Sequence, residues 1–167
     1  MKVVKPLSLI VAAGKNRAIG YKNHLLWSLP DDMRFFKETT TGHTVIMGRN
    51  TYLSLPKGAL PNRRNIVLTA DEGESFPGCV MAYSLEQAMD EADAHKENFV
   101  MGGASLYEQF FPLAQKLYYT DVEDAPLEAD VWFPLVRPEE WEEVKSMPHG
   151  VDERHKVAFT IRIFSRR

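Results

Sequence analysis

Cysteine is almost absent from this 167-residue sequence, and its scarcity limits the kinds of site that the chain can contain. Cys79 is the only cysteine, so an internal disulfide and a four-cysteine zinc site are both excluded. The five histidines show no H-x₃-H spacing of the kind that places two metal ligands on one helix face. We therefore expect no structural metal, and a lone thiol fits a reducing compartment.

Runs of one charge and long hydrophobic runs are also missing. No run of lysine or arginine exceeds two residues, and the formal net charge is −3. Because nucleic acids and anionic membrane surfaces attract basic faces, we expect neither as a partner. A membrane span, which needs about 18 consecutive apolar residues, is not expected either. The 44% hydrophobic content suffices for one core, which predicts a single domain over residues 1–167.

The first apolar run, Leu7–Ala13, has two interpretations. Lys2 and Lys5 precede it, so it superficially resembles the start of a signal peptide. It is at the short limit for such a segment and also fits a buried strand. We predict the strand.

Strand-like and helix-like patterns alternate along the chain. Several of the strand-like runs are continuously apolar, which is typical of strands covered on both faces. Only the last run alternates clearly, which suggests an antiparallel strand. The predicted strands are Ser8–Ala13, Thr44–Met47, Asn65–Leu68, Val80–Ala82, Phe99–Met101, Leu117–Val122 and Val157–Phe164.

Three helices are predicted between these strands. Pro30–Thr40 begins with proline and two aspartates, Ser84–Ala94 has Gln87 at a capping-box distance from Ser84, and Ser105–Phe111 ends before Pro112. The alternation predicts an α/β fold. We expect a mostly parallel, twisted central sheet of about eight strands, with an antiparallel C-terminal strand, flanked by about four helices.

The segment Gly14–Leu29 follows the first strand and shows no clean period. Ligands of open α/β sheets bind at the carboxyl ends of the strands, and Gly14 and Gly20 give this segment backbone freedom. It could form a lid, or it could be an ordinary connection.

Asp32 is the candidate catalytic acid. If a helix begins at Pro30, Asp32 shares a face with Phe35 and Phe36, whereas Asp31 has Arg34 three residues away. A carboxylate among aromatic rings has a raised pKa and can act in proton transfer near neutral pH. The alternative is that both aspartates only complement the helix dipole.

Three further segments suggest ligand contacts. Thr44–Tyr52 and Phe99–Tyr107 each run from an apolar strand through glycine towards a helix, a setting that favours phosphate. Each could equally be a strand-to-helix corner. Arg63, in a turn after Pro61, could clamp a carboxylate with two hydrogen bonds, or could belong to a solvated basic pair with Arg64.

Together these segments resemble dihydrofolate reductase of the bacterial chromosomal type, over Leu7 to Arg167. The Trp27–Phe36 segment and Val-Ile-Met-Gly-Arg-x-Thr are specific when found together, and Gly-Gly-x-x-x-Tyr supports them. The resemblance implies a cytoplasmic, monomeric enzyme that reduces dihydrofolate with NADPH. It also implies that the product serves one-carbon metabolism and that antifolates inhibit the enzyme.

The resemblance implies a substrate site around one acid, Asp32, which promotes protonation of the pterin. The hydroxyl of Thr120 steadies this acid, and Arg63 clamps the substrate's glutamate. Leu25 and Trp27 lie in the segment that resembles a mobile lid. The ring contacts and backbone contacts implied for the substrate are Ile10, Val11, Met33, Phe36, Leu55, Leu60 and Met101.

The resemblance also implies a cofactor site. Residues Ala12, Ala18, Ile19 and Gly20 correspond to the nicotinamide side. Residues Gly48, Arg49, Asn50, Thr51, Leu68 and Thr69 correspond to the phosphates and the adenosine end. Residues Gly102 and Gly103 correspond to a cis pair at the pyrophosphate, and Ala104, Ser105, Leu106 and Tyr107 follow them.

Three departures from the family pattern affect this site. Leu26 replaces the usual proline before Trp27, which bears on the rigidity of the lid. Ser105 and Ala70 stand where some relatives carry arginine and serine near the cofactor's phosphates, which weakens the case for NADPH over NADH. The stretch around Lys57 and Gly58 is one residue longer than the bacterial pattern.

Two other functions remain compatible with the residues. A reductase of another heterocycle, such as a riboflavin-pathway intermediate, would keep the cofactor site. It would need a phosphate pocket in place of Asp32 and Arg63. A non-catalytic nucleotide-binding module would bind NADPH without turnover, and the apolar setting of Asp32 would then have no purpose.

Overall fold

The continuous apolar runs become neighbouring strands of one sheet in the computed structural model, which describes residues 4–21 and 26–167. The elements, numbered in chain order, are strands β1 (Leu7–Gly14), β2 (Ala18–Gly20), β3 (Thr44–Gly48), β4 (Arg64–Leu68), β5 (Cys79–Ala82), β6 (Asn98–Val100), β7 (Lys116–Val122), β8 (Val131–Trp132), β9 (Trp141–His149) and β10 (Phe159–Arg166), and helices α1 (Pro30–Thr40), α2 (Arg49–Leu53), α3 (Leu85–Glu91) and α4 (Ala104–Phe110). Residues Phe111–Leu113 add a 3-10 turn.

The main sheet has eight strands in the order β5-β4-β3-β6-β1-β7-β10-β9. Strand β10 runs antiparallel to both of its neighbours, and the remaining pairs in this sheet are parallel. The predicted α/β class, the mostly parallel sheet and the antiparallel C-terminal strand are therefore confirmed. Strands β2 and β8 form a separate antiparallel pair.

The core has two apolar layers, one on each face of the sheet, and strand β1 contributes side chains to both. Leu9 and Val11 are buried in one apolar layer with residues of α3 and α4. Ile10, which points to the opposite face because side chains alternate along a strand, belongs to a second layer with Phe35 and Phe36 of α1. Burial on both faces confirms the strand interpretation of Leu7–Ala13.

The helix α3 begins at its predicted cap but ends earlier than expected. The Ser84 hydroxyl oxygen accepts from the Gln87 backbone N–H at 3.1 Å, and the Gln87 side chain accepts from the Tyr83 N–H at 2.8 Å. The expected end at Ala94 is wrong, since the helix stops at Glu91. The Lys5 ammonium donates to the carbonyl oxygens of Met89, Asp90 and Ala92 at the end of this helix, where helical N–H partners run out.

Three strands were not among those predicted, whereas α2 agrees with the helix start expected after Gly48 and is five residues long. Strands β2 and β8 are only three and two residues long. Strand β9 is an edge strand with a mostly exposed, polar sequence, so it lacks an apolar pattern. Among the described residues, no helix is long and apolar enough to cross a membrane.

Candidate active site

The glycine-containing segments predicted to bind a ligand meet at the carboxyl edge of the parallel strands. The Gly48 N–H donates to the Gly102 carbonyl oxygen at 2.9 Å, and the Met101 N–H donates to Ile46 at the same distance. The peptide between Gly102 and Gly103 is cis, as the resemblance implied. The Thr51 hydroxyl oxygen lies 3.4 Å and 3.6 Å from the points that side chains at these two glycines would occupy. Backbone and hydroxyl groups from β3, α2 and β6 therefore converge at one place.

Asp32 lies in the first turn of α1, facing strand β7. The Thr120 hydroxyl, from β7, donates to Asp32 Oδ1 at 2.6 Å. Burial raises the pKa of the Asp32 carboxyl, and the hydrogen bond from Thr120 lowers it by a smaller amount. A carboxyl with this balance holds a proton more readily than an exposed one, as expected of an acid that works near neutral pH.

Asp31, the neighbour of this acid, has the opposite environment. It accepts from the His149 ring at 2.8 Å and also pairs with Arg154, while Arg34 is 4.0 Å away as its spacing predicted. The hydrogen bond from His149, ahead of the nearby positive charges, lowers the pKa of the Asp31 carboxyl. The partners from the region between β9 and β10 were not predicted, because nothing in the local sequence links residue 31 to residues 149 and 154.

Most side chains predicted to surround the substrate rings pack in the layer next to α1. Residues Ile10, Phe36, Leu55, Leu60 and Met101 belong to this layer. Val11 is buried in the layer on the other face of the sheet. Met33 lies on α1 with 55% of its surface exposed. The structure thus brings together five of the seven predicted ring and backbone contacts.

Tyr107 is held beneath this edge by a hydrogen bond to β1. Its hydroxyl donates to the Ile10 carbonyl oxygen at 2.7 Å, and its ring packs edge-on against Phe133, with ring centres 5.1 Å apart. Burial strongly raises the pKa of the Tyr107 hydroxyl. The hydroxyl therefore remains a neutral hydrogen-bond donor that fixes the Ile10 carbonyl.

Arg63 and Arg64 are adjacent but have different partners. Arg64 pairs with Glu91 at 2.6 Å. Arg63 donates to the Pro61 carbonyl at 3.0 Å and to the Thr40 hydroxyl at 3.1 Å, and its guanidinium lies 6.0 Å from the centre of the Phe36 ring. No carboxylate of the described residues pairs with Arg63. Its charge is thus held beside the ring layer by neutral groups.

The residues assigned to the adenosine end of a cofactor form a polar cluster with an unexpected member. Arg49, at the start of α2, donates to Glu74 at 2.7 Å and lies 3.4 Å from the Asn50 side-chain oxygen. The Thr69 hydroxyl donates to the other oxygen of Glu74 at 2.9 Å. Glu74 was not predicted, because it lies in a loop with no motif.

The remaining residues assigned to the cofactor lie around this edge. Gly48 and Leu68 end the paired strands β3 and β4, at matching positions of the register. Ala104, Ser105 and Leu106 form the first turn of α4, where Leu106 is buried and Ser105 is exposed. Ala12, near the end of β1, packs against a third apolar cluster that includes Leu29 and Trp27.

The segment after β1 is more ordered than an unstructured loop. Ala18, Ile19 and Gly20 form β2, are buried, and pair with β8. The Trp27 indole donates to the Asp124 carboxylate at 2.9 Å. Leu25, which the resemblance places in a lid, lies outside the described residues.

One cluster has the residue types of a metal site. The ligand atoms of Asp31, His149, Asp152 and His155 lie within 4.8 Å of one another. Their hydrogen bonds engage both ring nitrogens of His155, which contact the Asp31 N–H at 3.1 Å and Asp152 Oδ1 at 2.8 Å. Arg154 also places a positive charge on Asp31. The cluster is therefore a hydrogen-bonded network that joins the start of α1 to the β9–β10 connection.

Comparisons with known proteins agree with this arrangement. The family model described as dihydrofolate reductase matches residues 6–166. The chain is 38% identical to the dihydrofolate reductases of Staphylococcus haemolyticus and of Bacillus subtilis, in each case over 96% of this chain and 95% of the relative.

A solved structure is also similar over nearly the whole chain. It is a dihydrofolate reductase from Enterococcus faecalis complexed with NADP(H) and RAB-propyl, with a TM-score of 0.88 and 32% identity over 97% of this chain and 96% of that one. The predicted enzyme class, an NADPH-dependent oxidoreductase, is confirmed, and the chain belongs to the dihydrofolate reductase family.

Proposed function

We propose that this protein reduces 7,8-dihydrofolate to 5,6,7,8-tetrahydrofolate, with Asp32 promoting protonation of the pterin at N5. The observation that carries the proposal is the setting of Asp32, a partly buried carboxyl with a raised pKa that accepts a hydrogen bond from Thr120. NADPH, when bound, supplies the hydride that is transferred to C6 of the pterin.

Asp32 has two tasks in this proposal. Its carboxyl group binds the flat amino and ring-nitrogen edge of the pterin with two hydrogen bonds, and its raised pKa favours protonation of the nearby imine nitrogen. Because Thr120 already donates to Oδ1, the carboxyl is fixed in orientation before the substrate arrives, which lowers the cost of positioning.

The substrate's ring system would lie on the apolar layer beside α1. The proposed contacts in this layer are Ile10, Phe36, Leu55, Leu60 and Met101. The resemblance also implies Val11, which is buried on the other face of the sheet, and Met33, which is exposed on α1. Arg63 would bind the glutamate carboxylate, since it stands next to this layer with only neutral partners for its guanidinium. Phe36, which belongs to this layer and has the Arg63 guanidinium 6.0 Å from its ring centre, would orient the substrate towards the arginine.

The cofactor would bind along the opposite side of the same edge. Donors suited to phosphate are present in Arg49, Asn50, Thr51, Thr69 and the start of α4 at Ala104, Ser105 and Leu106. The absence of side chains at Gly48, Gly102 and Gly103 would let the backbone approach the pyrophosphate. Ala12, Ala18, Ile19, Gly20, Leu68 and Tyr107 complete the proposed cofactor site.

Trp27 would cover the reacting rings, and Leu25, the other residue of the implied lid, lies outside the described residues. Trp27 packs in the cluster with Ala12 and Leu29 and is held by Asp124. A cover over this edge would exclude water, which strengthens the electrostatic effect of the carboxyl on the pterin.

The proposal is tested by following NADPH absorbance over time with and without dihydrofolate. We expect oxidation that requires dihydrofolate and that methotrexate blocks. Oxidation with another heterocycle alone would support a different reductase, and saturable NADPH binding without turnover on dihydrofolate or other heterocycles would support a binding module. Either result would overturn the proposal.

A further inference from the structure

Glu74 connects two of the residues proposed to hold the adenosine end of the cofactor. Its Oε2 accepts from Arg49 Nε at 2.7 Å, and its Oε1 accepts from the Thr69 hydroxyl at 2.9 Å. Arg49 comes from the start of α2, and Thr69 directly follows β4. Glu74 therefore places a carboxylate between groups that come from two neighbouring strand ends.

The side chain of Glu74 is fixed rather than free in solvent. Only 16% of it is exposed, against 47% for Arg49. The loop that carries it is held by local hydrogen bonds: the Glu74 N–H donates to the Asp71 carbonyl at 3.1 Å, and the Gly73 N–H donates to the Asp71 carboxylate at 2.9 Å. A phosphate that binds to Arg49 and Thr69 would thus meet a carboxylate with little room to withdraw.

NADPH and NADH differ at the adenosine end of the molecule, where NADPH carries one additional phosphate. The 2′-phosphate carries close to two negative charges and is repelled by a carboxylate, whereas the 2′-hydroxyl of NADH is neutral and can donate to one. The other assigned positions offer no compensating charge, since Ala70 is apolar and Ser105 is neutral. Arg49 is thus the positively charged residue assigned to the adenosine end of the cofactor, and Glu74 already forms an ion pair with it.

We propose that Glu74 is a specificity-determining residue that narrows the preference of this enzyme for NADPH over NADH. The carboxylate competes with the 2′-phosphate for Arg49 and Thr69, while it leaves a cofactor with a free 2′-hydroxyl unhindered. This inference rests on the proposed function, because it assumes that Arg49 and Thr69 bind the adenosine end of the cofactor.

The test measures the equilibrium affinity of the full chain for each cofactor by quenching of intrinsic fluorescence. Glu74→Gln keeps the size of the side chain and removes its charge, and its amide oxygen can still accept a hydrogen bond from Arg49. We expect the Kd for NADPH to fall roughly 3- to 10-fold, as for the loss of one unfavourable charge contact, while the Kd for NADH changes less than about two-fold. The gain should shrink as ionic strength rises, because salt screens the repulsion.

A matched control is available in the Arg64–Glu91 pair. That pair is also a close arginine–glutamate contact, at 2.6 Å, but lies among residues that are not assigned to the cofactor. Glu91→Gln should leave both affinities unchanged. Glu74→Ala provides a second variant without the charge if Glu74→Gln does not fold.

The result that overturns the inference is an equal change for both cofactors or weaker NADPH binding, which would make Glu74 a support for Arg49. Arg49→Leu separates this failure from a failure of the proposed cofactor site. If Arg49→Leu weakens NADPH binding selectively and Glu74→Gln does not alter the preference, only the inference about Glu74 fails. If Arg49→Leu affects neither cofactor, the site assignment fails and the inference fails with it.

Discussion

At the scale of single residues, the pair Asp31 and Asp32 shows how position alone sets the chemistry of a side chain. The two carboxylates are adjacent in sequence, but Asp31 turns to His149 and Arg154 while Asp32 turns to the buried hydroxyl of Thr120. Their pKa values move in opposite directions, down for Asp31 and up for Asp32. One carboxylate is thereby suited to an ion pair and the other to proton transfer.

The raised pKa of Asp32 predicts a trade-off between stability and function. A carboxyl whose pKa is higher in the folded state favours folding below its unfolded pKa, and this contribution is lost as pH rises through the folded pKa. We therefore expect Asp32→Asn to be at least as stable as the wild type near neutral pH and to lose this advantage in acid. Urea unfolding of both proteins at neutral and at acidic pH measures the difference in stability. A variant that is clearly less stable than the wild type at neutral pH would contradict this expectation.

Arg63 gives a prediction about substrate binding. Arg63→Leu should weaken the binding of dihydrofolate by roughly 1.5–3 kcal/mol, the range for a hydrogen bond to a charged group. It should leave the affinity for a pteroate without glutamate nearly unchanged. Arg64→Leu is the matched control, because Arg64 already pairs with Glu91. Equal losses for the two ligands would show that Arg63 does not bind the glutamate.

At the scale of elements, the start of helix α3 could be predicted from the local sequence. The spacing of Ser84 and Gln87 predicted the cap, and the Ser84 hydroxyl accepts from the Gln87 N–H, while the Gln87 side chain accepts from the Tyr83 N–H rather than from that of Ser84. The end of the helix could not be predicted in the same way, because it depends on Lys5, which is more than 80 residues away along the chain.

The cap of α3 predicts a measurable cost. Ser84→Ala should lower the free energy of unfolding by about 1 kcal/mol, since it leaves a helical N–H without its partner. Chemical denaturation measures the cost. Activity of the folded variant should not change, because Ser84 has no assigned role in the site. A variant as stable as the wild type would mean that water replaces the cap fully.

The strands divide into those that the sequence predicts and those that it does not. Strands β3 and β6 are largely apolar because apolar layers cover both faces of the sheet at these strands, so their pattern is visible without knowledge of the fold. Strand β9 lies at the edge, pairs only with β10, and carries exposed polar residues. Its existence follows from pairing with the next strand, β10, because its own mostly exposed and polar residues give no apolar pattern.

At the scale of the whole molecule, the connection between β9 and β10 is tied to the start of the helix that carries the acid. The His149 ring lies within 2.8 Å of both Asp31 Oδ2 and the Gly150 carbonyl oxygen, and it stacks on Phe159 with ring centres 4.5 Å apart. Since both ring nitrogens face acceptors, the protonated ring fits this position best. The contact between His149 and Asp31 and that between Glu74 and Arg49 each join segments that are separated in the chain. Local sequence patterns therefore do not predict either contact.

The contact between His149 and Asp31 predicts a dependence of stability on pH. The hydrogen bond to Asp31 raises the pKa of His149 from its ordinary value of 6.5, so its contribution is present below that value and is lost as pH rises through the folded pKa. We expect His149→Gln to be less stable than the wild type near pH 6, with a deficit that shrinks near pH 9. Because the pKa of Asp31 is lowered, the deficit should also shrink in strong acid. Thermal unfolding across this range measures the deficit, and a constant value would contradict the account.

The most direct test of the central claim is the pH profile of dihydrofolate reduction by the wild type and Asp32→Asn. If Asp32 promotes protonation, wild-type activity falls as pH rises through its raised pKa. The variant should be about 10²–10⁴-fold less active near neutral pH and should regain activity in acid, where solvent protonates the substrate. A variant that matches the wild type at neutral pH, with an unchanged profile, would show that Asp32 is not the group that promotes proton transfer.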